Sequence, residues 1–339
     1  MATPSITIVL PTYNRAGFLP RAFSSIRAQR FTDWALVVVD DGSTDDTASL
    51  VATLAQPVQS KVRYVRQANQ GAYAARNAGL RHVTGRYVAF FDSDDEWLPH
   101  HLSDCHEALE RHPDIDWVYG ASRLVDDSTG LTVSDNSFCV DGAARPFRRL
   151  TCQTRGNLYV LDEPDLASAV LDGSGLFCGL QNSLIRREVF ERVRFHTAFH
   201  NEAEDQVFVV RALVTGFRFA YIDAVHHVYH IHESNSSGSS RDLPLSKQIR
   251  VYSDLIRGFE ELPGQVRLTR SQRRALDRRL SREYFWHLGF ATYWQGGRHA
   301  DALAAYRRGL TLTPWRLPYW KTYLLALARS WPRRLHGSA

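Results

Sequence analysis

The segment Arg86–Asp95, RYVAFFDSDD, sets three carboxylates, Asp92, Asp94 and Asp95, within four residues. Carboxylates this close either hold a divalent cation or share a proton. Hard oxygen ligands in small number suit Mg²⁺ or Mn²⁺, with a substrate phosphate and water completing the shell. The apolar run Tyr87–Phe91 predicts a buried strand. If that strand continues through Asp94, its period of two turns Asp92 and Asp94 to the same side. Taken alone, DSDD reads as a polar turn, with Asp95 at the start of a helix. Two further clusters bear on chemistry. Glu202, Glu204 and Asp205 precede an apolar helical pattern, where the positive end of a helix already favours acids. His226, His227, His230 and His232 lie on or just beyond a strand-like run, and H-x-H spacing is compatible with a metal.

The elements that must position these groups alternate. Ile6–Leu10, Ala35–Val39, Val62–Val65 and Tyr87–Phe91 read as strands. Between them, Leu19, Ala22, Phe23 and Ile26 follow helical spacing. Ser43-x-x-Asp46 resembles a capping box opening a second helix. An Ala-rich helix follows Asn69-Gln70-Gly71 and ends near Val83. This β-α repetition predicts a parallel sheet with helices on both faces. Ligands of such sheets collect at the carboxyl ends of the strands. Pro11-Thr12-Tyr13-Asn14, Asp40-Asp41, Asn69-Gln70-Gly71 and Asp92-Ser93-Asp94 therefore share one crevice. The chain has no G-x-G-x-x-G after the first strand and no G-x-x-x-x-G-K-[ST], so a conventional dinucleotide or P-loop site is not expected.

VLPTYNR, VVVDDGSTDDT, NQGAYAARNAG and VAFFDSDD, in that order, resemble the inverting glycosyltransferases of family 2, which have the GT-A fold. The likeness is close over about the first 100 residues and looser to about residue 240. It implies an α/β, Rossmann-like, mostly parallel sheet flanked by helices. It also implies a nucleotide-diphosphate-sugar donor and a divalent metal, Mg²⁺ or Mn²⁺. Pro11, Thr12, Tyr13, Asp40, Asp41, Arg76, Asp92, Ser93 and His232 then fall to the nucleotide sugar. Asp40 or Asp41 accepts from the base, which suits the imide N–H of uracil or thymine. Asp92, Asp94 and His232 fall to the metal and its diphosphate. EAED resembles the family's Glu-Asp motif, which makes Asp205 the base for the acceptor hydroxyl. A helix N-terminus and a metal lower that aspartate's pKa, whereas Glu204 and burial raise it. Glu204 and Asn182 are assigned to the acceptor. Tyr229–Ser236 resembles the family's Tyr-Arg-x-His-x-x-Ser, with His230 in place of Arg and Asn235 in place of Ser. Ser234–Ser240 reads as a polar lid or linker.

His100–Arg111 predicts a helix, Trp117–Ala121 a strand and residues 126–157 a polar insertion. FCGLQNSLI (Phe177–Ile185) predicts a strand, RREVFERV a helix, and Phe217–Ile222 and Val225–Ile231 two strands. Residues 1–240 form the expected glycosyltransferase domain, with a donor half at 1–100 and an acceptor half at 101–240. Residues 241–339 form a helical extension. Gln265–Ala339 holds 15 basic and 3 acidic residues, a net of +12, so the remainder carries −7 against +5 overall. The same stretch holds five of the eight tryptophans. Its Arg, Trp and Tyr beside Leu325 and Leu327 suit either an interfacial helix on an anionic membrane or a basic face over an ordinary helical core. GRHADALAAYRRGLTLTP resembles one tetratricopeptide-style unit, which cannot bury its own face alone. No base-reading module is recognisable, so nucleic acid is not an expected partner.

No apolar run reaches bilayer length. MATPSITIVLPTYN reads as a strand rather than a signal peptide, so the expected location is the cytoplasm, peripheral on the inner face of the membrane. Cys105, Cys139, Cys152 and Cys178 lack C-x-x-C spacing and read as reduced and non-ligating. Transfer to a glycan or lipid-linked glycan is the function expected. A non-catalytic nucleotide-sugar-binding scaffold of the same fold is the alternative, although a scaffold has no need of Asp92, Asp94 and Asp205 together. A pyrophosphorylase-type nucleotidyltransferase is a weaker third reading, for want of a Gly-rich phosphate loop.

Overall fold

The computed structural model describes residues 3–176, 178–197, 204–235 and 244–330. The first seven elements alternate as the hydrophobic pattern predicts: β1 (Ile6–Thr12), α1 (Leu19–Arg27), β2 (Trp34–Asp40), α2 (Thr47–Ala55), β3 (Val62–Arg66), α3 (Ala72–Leu80) and β4 (Tyr87–Phe90). β1 is buried along its whole length, between β2 and β4, and parallel to both. β3 extends the parallel set beyond β2. Pro11 is tolerated in this central strand because β4 pairs with β1 only as far as Val9, leaving one side of Pro11 without a ladder partner.

That early end of β4 corrects the expected strand alternation of the aspartates. The last bond between the two strands runs from Phe91 N–H to Val9 O at 3.0 Å. The chain then turns, with Asp95 N–H donating to Asp92 O at 3.3 Å. Asp92 and Asp94 therefore sit on a turn and not on one face of a strand. The chain continues through β5 (Glu96–Trp97), α4 (His101–Arg111) and β6 (Trp117–Asp126).

The rest of the sheet is mixed. Ser183–Arg186 lies between β4 and β6 and is antiparallel to both. Beyond β6 come the parallel strand Phe219–Ile231 and then, antiparallel, Leu158–Leu161 and Cys152–Arg155. Phe219–Ile231 is one strand where two were expected; a register shift on each side of Val225 marks the break the sequence suggested. The polar insertion carries short strands at Thr132–Ser134, Cys139–Val140 and Ala143–Ala144. In RREVFERV only Val189–Arg192 is helical, because Arg186 belongs to the strand before it. Of FCGLQNSLI, Phe177 lies outside the described residues and only Ser183–Ile185 is strand.

The chain divides into two compact units, residues 1–170 with 174–236, and residues 171–173 with 237–339. The core of the first joins Ile6, Ile8 and Leu10 of β1 to Phe23 and Ile26 of α1, Leu102 and Leu109 of α4, and Val118 of β6. The second is helical: Leu245–Gln265, Arg270–Arg282 running on as a π-helical stretch Glu283–Trp294, His299–Leu312 and Leu317–Ser330. Thr269 and Gln272 form a full capping box at its second helix. Phe285, Tyr306 and Tyr319 make its aromatic centre, with ring centroids 4.2–4.5 Å apart from Phe285. No helix among the described residues is long and apolar enough to cross a membrane.

Candidate active site

Thr12 ends β1 directly beside Asp40, the last residue of β2. Thr12 is buried and its Oγ1 has no hydrogen-bond partner, whereas Tyr13 is 46% exposed. Asp40 is fully buried. Its Oδ1 accepts Ser43 N–H at 2.7 Å and its Oδ2 accepts the Tyr64 hydroxyl. Burial, then Asp40, raises the Tyr64 pKa. Asp41 accepts from Gln67 Nε2 at 2.7 Å, Gln70 N–H at 3.0 Å and Gly71 N–H at 2.7 Å, which ties the Asn69-Gln70-Gly71 turn to the end of β2. Gly42 takes φ +85°, and a Cβ there would come within 3.0 Å of Asn69 N. The expected capping box does not form. Ser43 Oγ accepts Asn14 N–H at 2.9 Å, and Asp45 Oδ1 accepts from Thr47 N–H at 3.1 Å instead. Ser43 is thus spent on joining the loops after β1 and β2.

Arg76 projects from α3, packs over the Tyr73 ring at 5.2 Å and bonds Asp92 Oδ1 at 2.7 Å. Its charge answers a carboxylate of the protein. Asp94 meets a different set, His232 Nε2 at 3.3 Å and Arg15 at 3.8 Å. Burial and Asp92 push the Asp94 pKa up against the pull of Arg15 and His232. The His232 ring stacks on Phe18 at 4.5 Å, and Ser234 Oγ holds its Nδ1 at 2.8 Å. Arg15 also donates to Ser234 O at 2.6 Å. Arg15 and Phe18 were not singled out by the sequence; the Arg of VLPTYNR was the available signal. Ser93, between the two aspartates, is 5% exposed.

Asp95 is not a helix-start residue. It is 1% exposed, bonded to His227 Nε2 at 2.9 Å and to His230 N–H at 3.2 Å. Burial, partly offset by His227, pushes its pKa up to about 6. His230 contacts Asp127 Oδ1 at 2.6 Å and Glu96 Oε2 at 2.9 Å. It does not share a ligand with His232, because the strand ends at Ile231 and its period of two no longer applies. Asn235 fills the place expected for Ser, its Oδ1 accepting His232 N–H and its Nδ2 donating to His230 O at 3.2 Å. Residues 236–240 of the expected lid lie outside the described residues.

Asp205 opens the helix Glu204–Val214. Its N–H donates to Tyr73 Oη at 3.4 Å, and its Oδ1 accepts Gln206 N–H at 2.9 Å. Its pKa is raised, first by burial and then by Asp92, against the pull of Gln206 N–H and Arg76. The neighbouring charge is Asp92, not Glu204 as expected. Glu204 is 1% exposed, paired with Arg211, and accepts His196 N–H at 2.7 Å. Asn182 is 2% exposed and donates to Gly120 O at 2.6 Å. Both side chains assigned to an acceptor are thus buried and bonded within the protein. Glu202 lies outside the described residues. Asp92, Arg76, Tyr73 and Asp205 form one connected group, and Asp94, His232, Arg15 and Phe18 flank it.

The parallel strands with carboxylates at their C-terminal ends define the GT-A fold, here with a helical C-terminal extension. The glycosyl transferase family 2 model matches residues 7–194. The chain belongs to glycosyl transferase family 2. It is 32% identical over 223 residues to the succinoglycan biosynthesis protein ExoW of Rhizobium meliloti, covering 65% of this chain and 66% of that protein. Across the curated relatives first matched, the chain spans about half to two-thirds of their length, 52% in one case. Its fold is similar to that of S. aureus TarS 1-349 in complex with UDP-GlcNAc, with a TM-score of 0.66, 18% identity and coverage of 96% and 88% of the two chains. It is also similar to the mannosyltransferase PcManGT from Pyrobaculum calidifontis in complex with GDP-Man and Mn²⁺, with a TM-score of 0.57, 21% identity and coverage of 97% and 87%.

The raised pKa of Asp205 carries a stability prediction. A carboxyl whose folded value lies above its ordinary 3.8 opposes folding once it ionises. The opposition is absent below the unfolded value, grows up to the folded value, and persists above it. Asp205→Asn is therefore expected to raise the denaturation midpoint at pH 7, with the gain vanishing below about pH 4. Urea denaturation of both proteins from pH 4 to 8 checks this; equal stability at pH 7 contradicts it.

Proposed function

We propose that the chain transfers a sugar, with inversion, from a nucleotide-diphosphate sugar, in the first instance a UDP-sugar, to a hydroxyl of a glycan or lipid-linked glycan. The observation that carries this is the link from Asp92 through Arg76 and Tyr73 to Asp205, which sets a carboxylate of raised pKa beside the aspartate turn. The acceptor oxygen bonds to the anomeric carbon as its proton passes to Asp205. The bond from that carbon to the diphosphate breaks, and the nucleoside diphosphate leaves with the electron pair. A base of raised pKa suits this step better than an ordinary aspartate.

Asp40 and Asp41 close the crevice where the base would lie, with Pro11, Thr12 and Tyr13 beside them. The buried, unpartnered Thr12 Oγ1 offers a donor there. A divalent ion fits the chemistry of the aspartate turn. Asp94 and His232 present oxygen and nitrogen 3.3 Å apart, and Mg²⁺ or Mn²⁺ needs few protein ligands when phosphates supply the rest. Asp92 is engaged by Arg76 and stands as the neighbouring carboxylate. When bound, the ion neutralises the departing diphosphate. Arg15 adds fixed positive charge beside Asp94.

Titration of UDP and GDP, each with and without Mn²⁺, tests the donor site. Mn²⁺-dependent binding that weakens at least about tenfold in Asp94→Ala is expected, equivalent to one lost favourable contact of about 1.4 kcal/mol. Metal-independent binding unchanged in that variant counts against the site. Asp205→Asn is expected to keep donor affinity and lose about 10²–10⁴-fold in turnover, measured with a nucleotide-sugar panel and a lipid-pyrophosphate acceptor. Retained turnover removes Asp205 from the role.

The helical unit supports cytoplasmic action at the inner membrane face. Trp315, Leu317, Trp320, Leu324 and Leu325 are exposed, Leu317 by 77%, among Arg316, Lys321 and Arg329. Apolar side chains mixed with basic ones suit an anionic lipid surface. Sedimentation with vesicles is expected to show binding that rises with anionic lipid; no binding to anionic or neutral vesicles retires the membrane role.

A further inference from the structure

On the same unit as the aspartate turn lies a second set of metal-ligating side chains that the proposed transfer does not use. His101 and Cys105 are four residues apart on α4, so they share one helix face. His226 comes to them from the strand Phe219–Ile231. All three are fully buried. Cys105 Sγ lies 3.8 Å from His101 Nδ1 and 3.9 Å from His226 Nδ1, and the three ligand atoms lie within 4.8 Å of one another. Zn–S bonds of about 2.3 Å and Zn–N bonds of about 2.0–2.1 Å give a tetrahedron whose S···N edges are about 3.6 Å. The observed spacing is within a few tenths of an ångström of that.

A metal at the Nδ1 atoms would give each ring one strong partner, although it would not serve Nε2. The Nε2 atoms of His101 and His226 are buried with no hydrogen-bond partner. Their Nδ1 atoms meet only a weakly polar sulfur. Two imidazoles at 0% exposure with no strong partner at either nitrogen are costly to bury, because each unsatisfied polar group costs about 1–3 kcal/mol. The ring of Trp97 lies tilted against His101, with centroids 4.7 Å apart. A second set, His100, Asp104 and His226, shares His226; His100 and Asp104 are half-buried.

We propose that His101, Cys105 and His226 form a structural zinc site, distinct from the donor-metal residues Asp94 and His232. Two imidazoles and a thiolate are a borderline-soft donor set, which selects Zn²⁺ over the Mg²⁺ or Mn²⁺ suited to the aspartate turn. Three protein ligands leave one tetrahedral position for water. Binding converts the thiol to a thiolate and releases its proton to solvent. The sequence reading of Cys105 as non-ligating rested on the lack of C-x-x-C; here the fold supplies partners that local spacing does not.

The test uses the full chain. Zinc content after extensive dialysis is expected to be about one ion per chain. The Co²⁺-substituted protein is expected to show a near-ultraviolet thiolate-to-cobalt charge-transfer band. That band should survive in Asp94→Ala, and in the triple variant Cys139→Ser, Cys152→Ser, Cys178→Ser, whose sole thiol is Cys105. It should be lost in Cys105→Ser. The thermal midpoint of the wild type should fall when a chelator strips the ion and return with Zn²⁺. Absence of zinc and of the cobalt band in the wild type overturns the site, and so does a band that disappears in the triple variant. Metal uptake lost in Asp94→Ala but kept in Cys105→Ser assigns the ion to the donor site and overturns the proposal equally. If Cys105→Ser fails to fold, the wild-type and triple-variant spectra decide.

Discussion

Crowding of negative charge after β4 is the constraint from which the rest of the first unit follows. Asp92, Asp94 and Asp95 are consecutive or nearly so, and two like charges about 4 Å apart repel by about 4 kcal/mol at an effective dielectric constant of about 20. The fold meets each with a different positive or donor group. Arg76 comes from α3 to Asp92, Arg15 and His232 come to Asp94, and His227 comes to Asp95. These partners lie 16 (Arg76 to Asp92) to 138 (His232 to Asp94, 232 − 94) residues from the turn in the chain, so satisfying it draws the loop after β1, helix α3 and the long strand to one place. Asp94 and Asp95 both remain harder to ionise than free aspartates, first because they are buried and then because of the neighbouring carboxylates.

Much of the frame was legible because local pattern encodes it. Ile6–Leu10 is a nearly continuous apolar run and Ala35–Val39 an unbroken one, as a strand covered on both faces requires. The crevice followed from one rule about strand ends, and Asp41 bound to the turn at Gly71 shows the loops it predicted in contact. What could not be read was the partner of each charged group. Asp95 looked like a helix start because Asp favours that position; its histidine is 132 residues away. Glu204 and Asn182 looked available because they are polar beside a motif. Arg211 lies one helical turn and more beyond Glu204, and that pairing was visible only as an unremarked spacing of seven residues. Polarity in a sequence shows that a partner is needed, not whether the partner is protein or ligand.

The same limit governs the assignment of a base. From sequence, the helix start at Asp205 argued for a lowered pKa and burial for a raised one, with no means of ranking them. In the structure burial is the largest contribution and wins over the pull of the Gln206 N–H and Arg76, with Asp92 adding a smaller upward push. Arg76 is already committed to Asp92, so its field at Asp205 is largely cancelled by the carboxylate it holds. Burial, more than Asp92, is therefore what keeps the Asp205 carboxyl raised beside the Arg76–Asp92 pair.

One strand links the aspartate turn to the buried His-Cys cluster. His226 and His227 are consecutive, so the pleat sends them to opposite faces: His227 to Asp95 and Ser122, His226 to Cys105 and His101. The register of Phe219–Ile231 against β6 shifts on both sides of Val225, and such irregularities re-aim the side chains next to them. Room for the re-aimed ring comes from Gly120, where a Cβ would stand 2.4 Å from His226 Cδ2. Asn182 then fixes Gly120 by donating to its carbonyl. A residue that sequence assigned to an acceptor sugar therefore serves the placement of His226. Any displacement of His226 is transmitted through one peptide unit to His227, the group that keeps Asp95 in its buried position behind the aspartate turn.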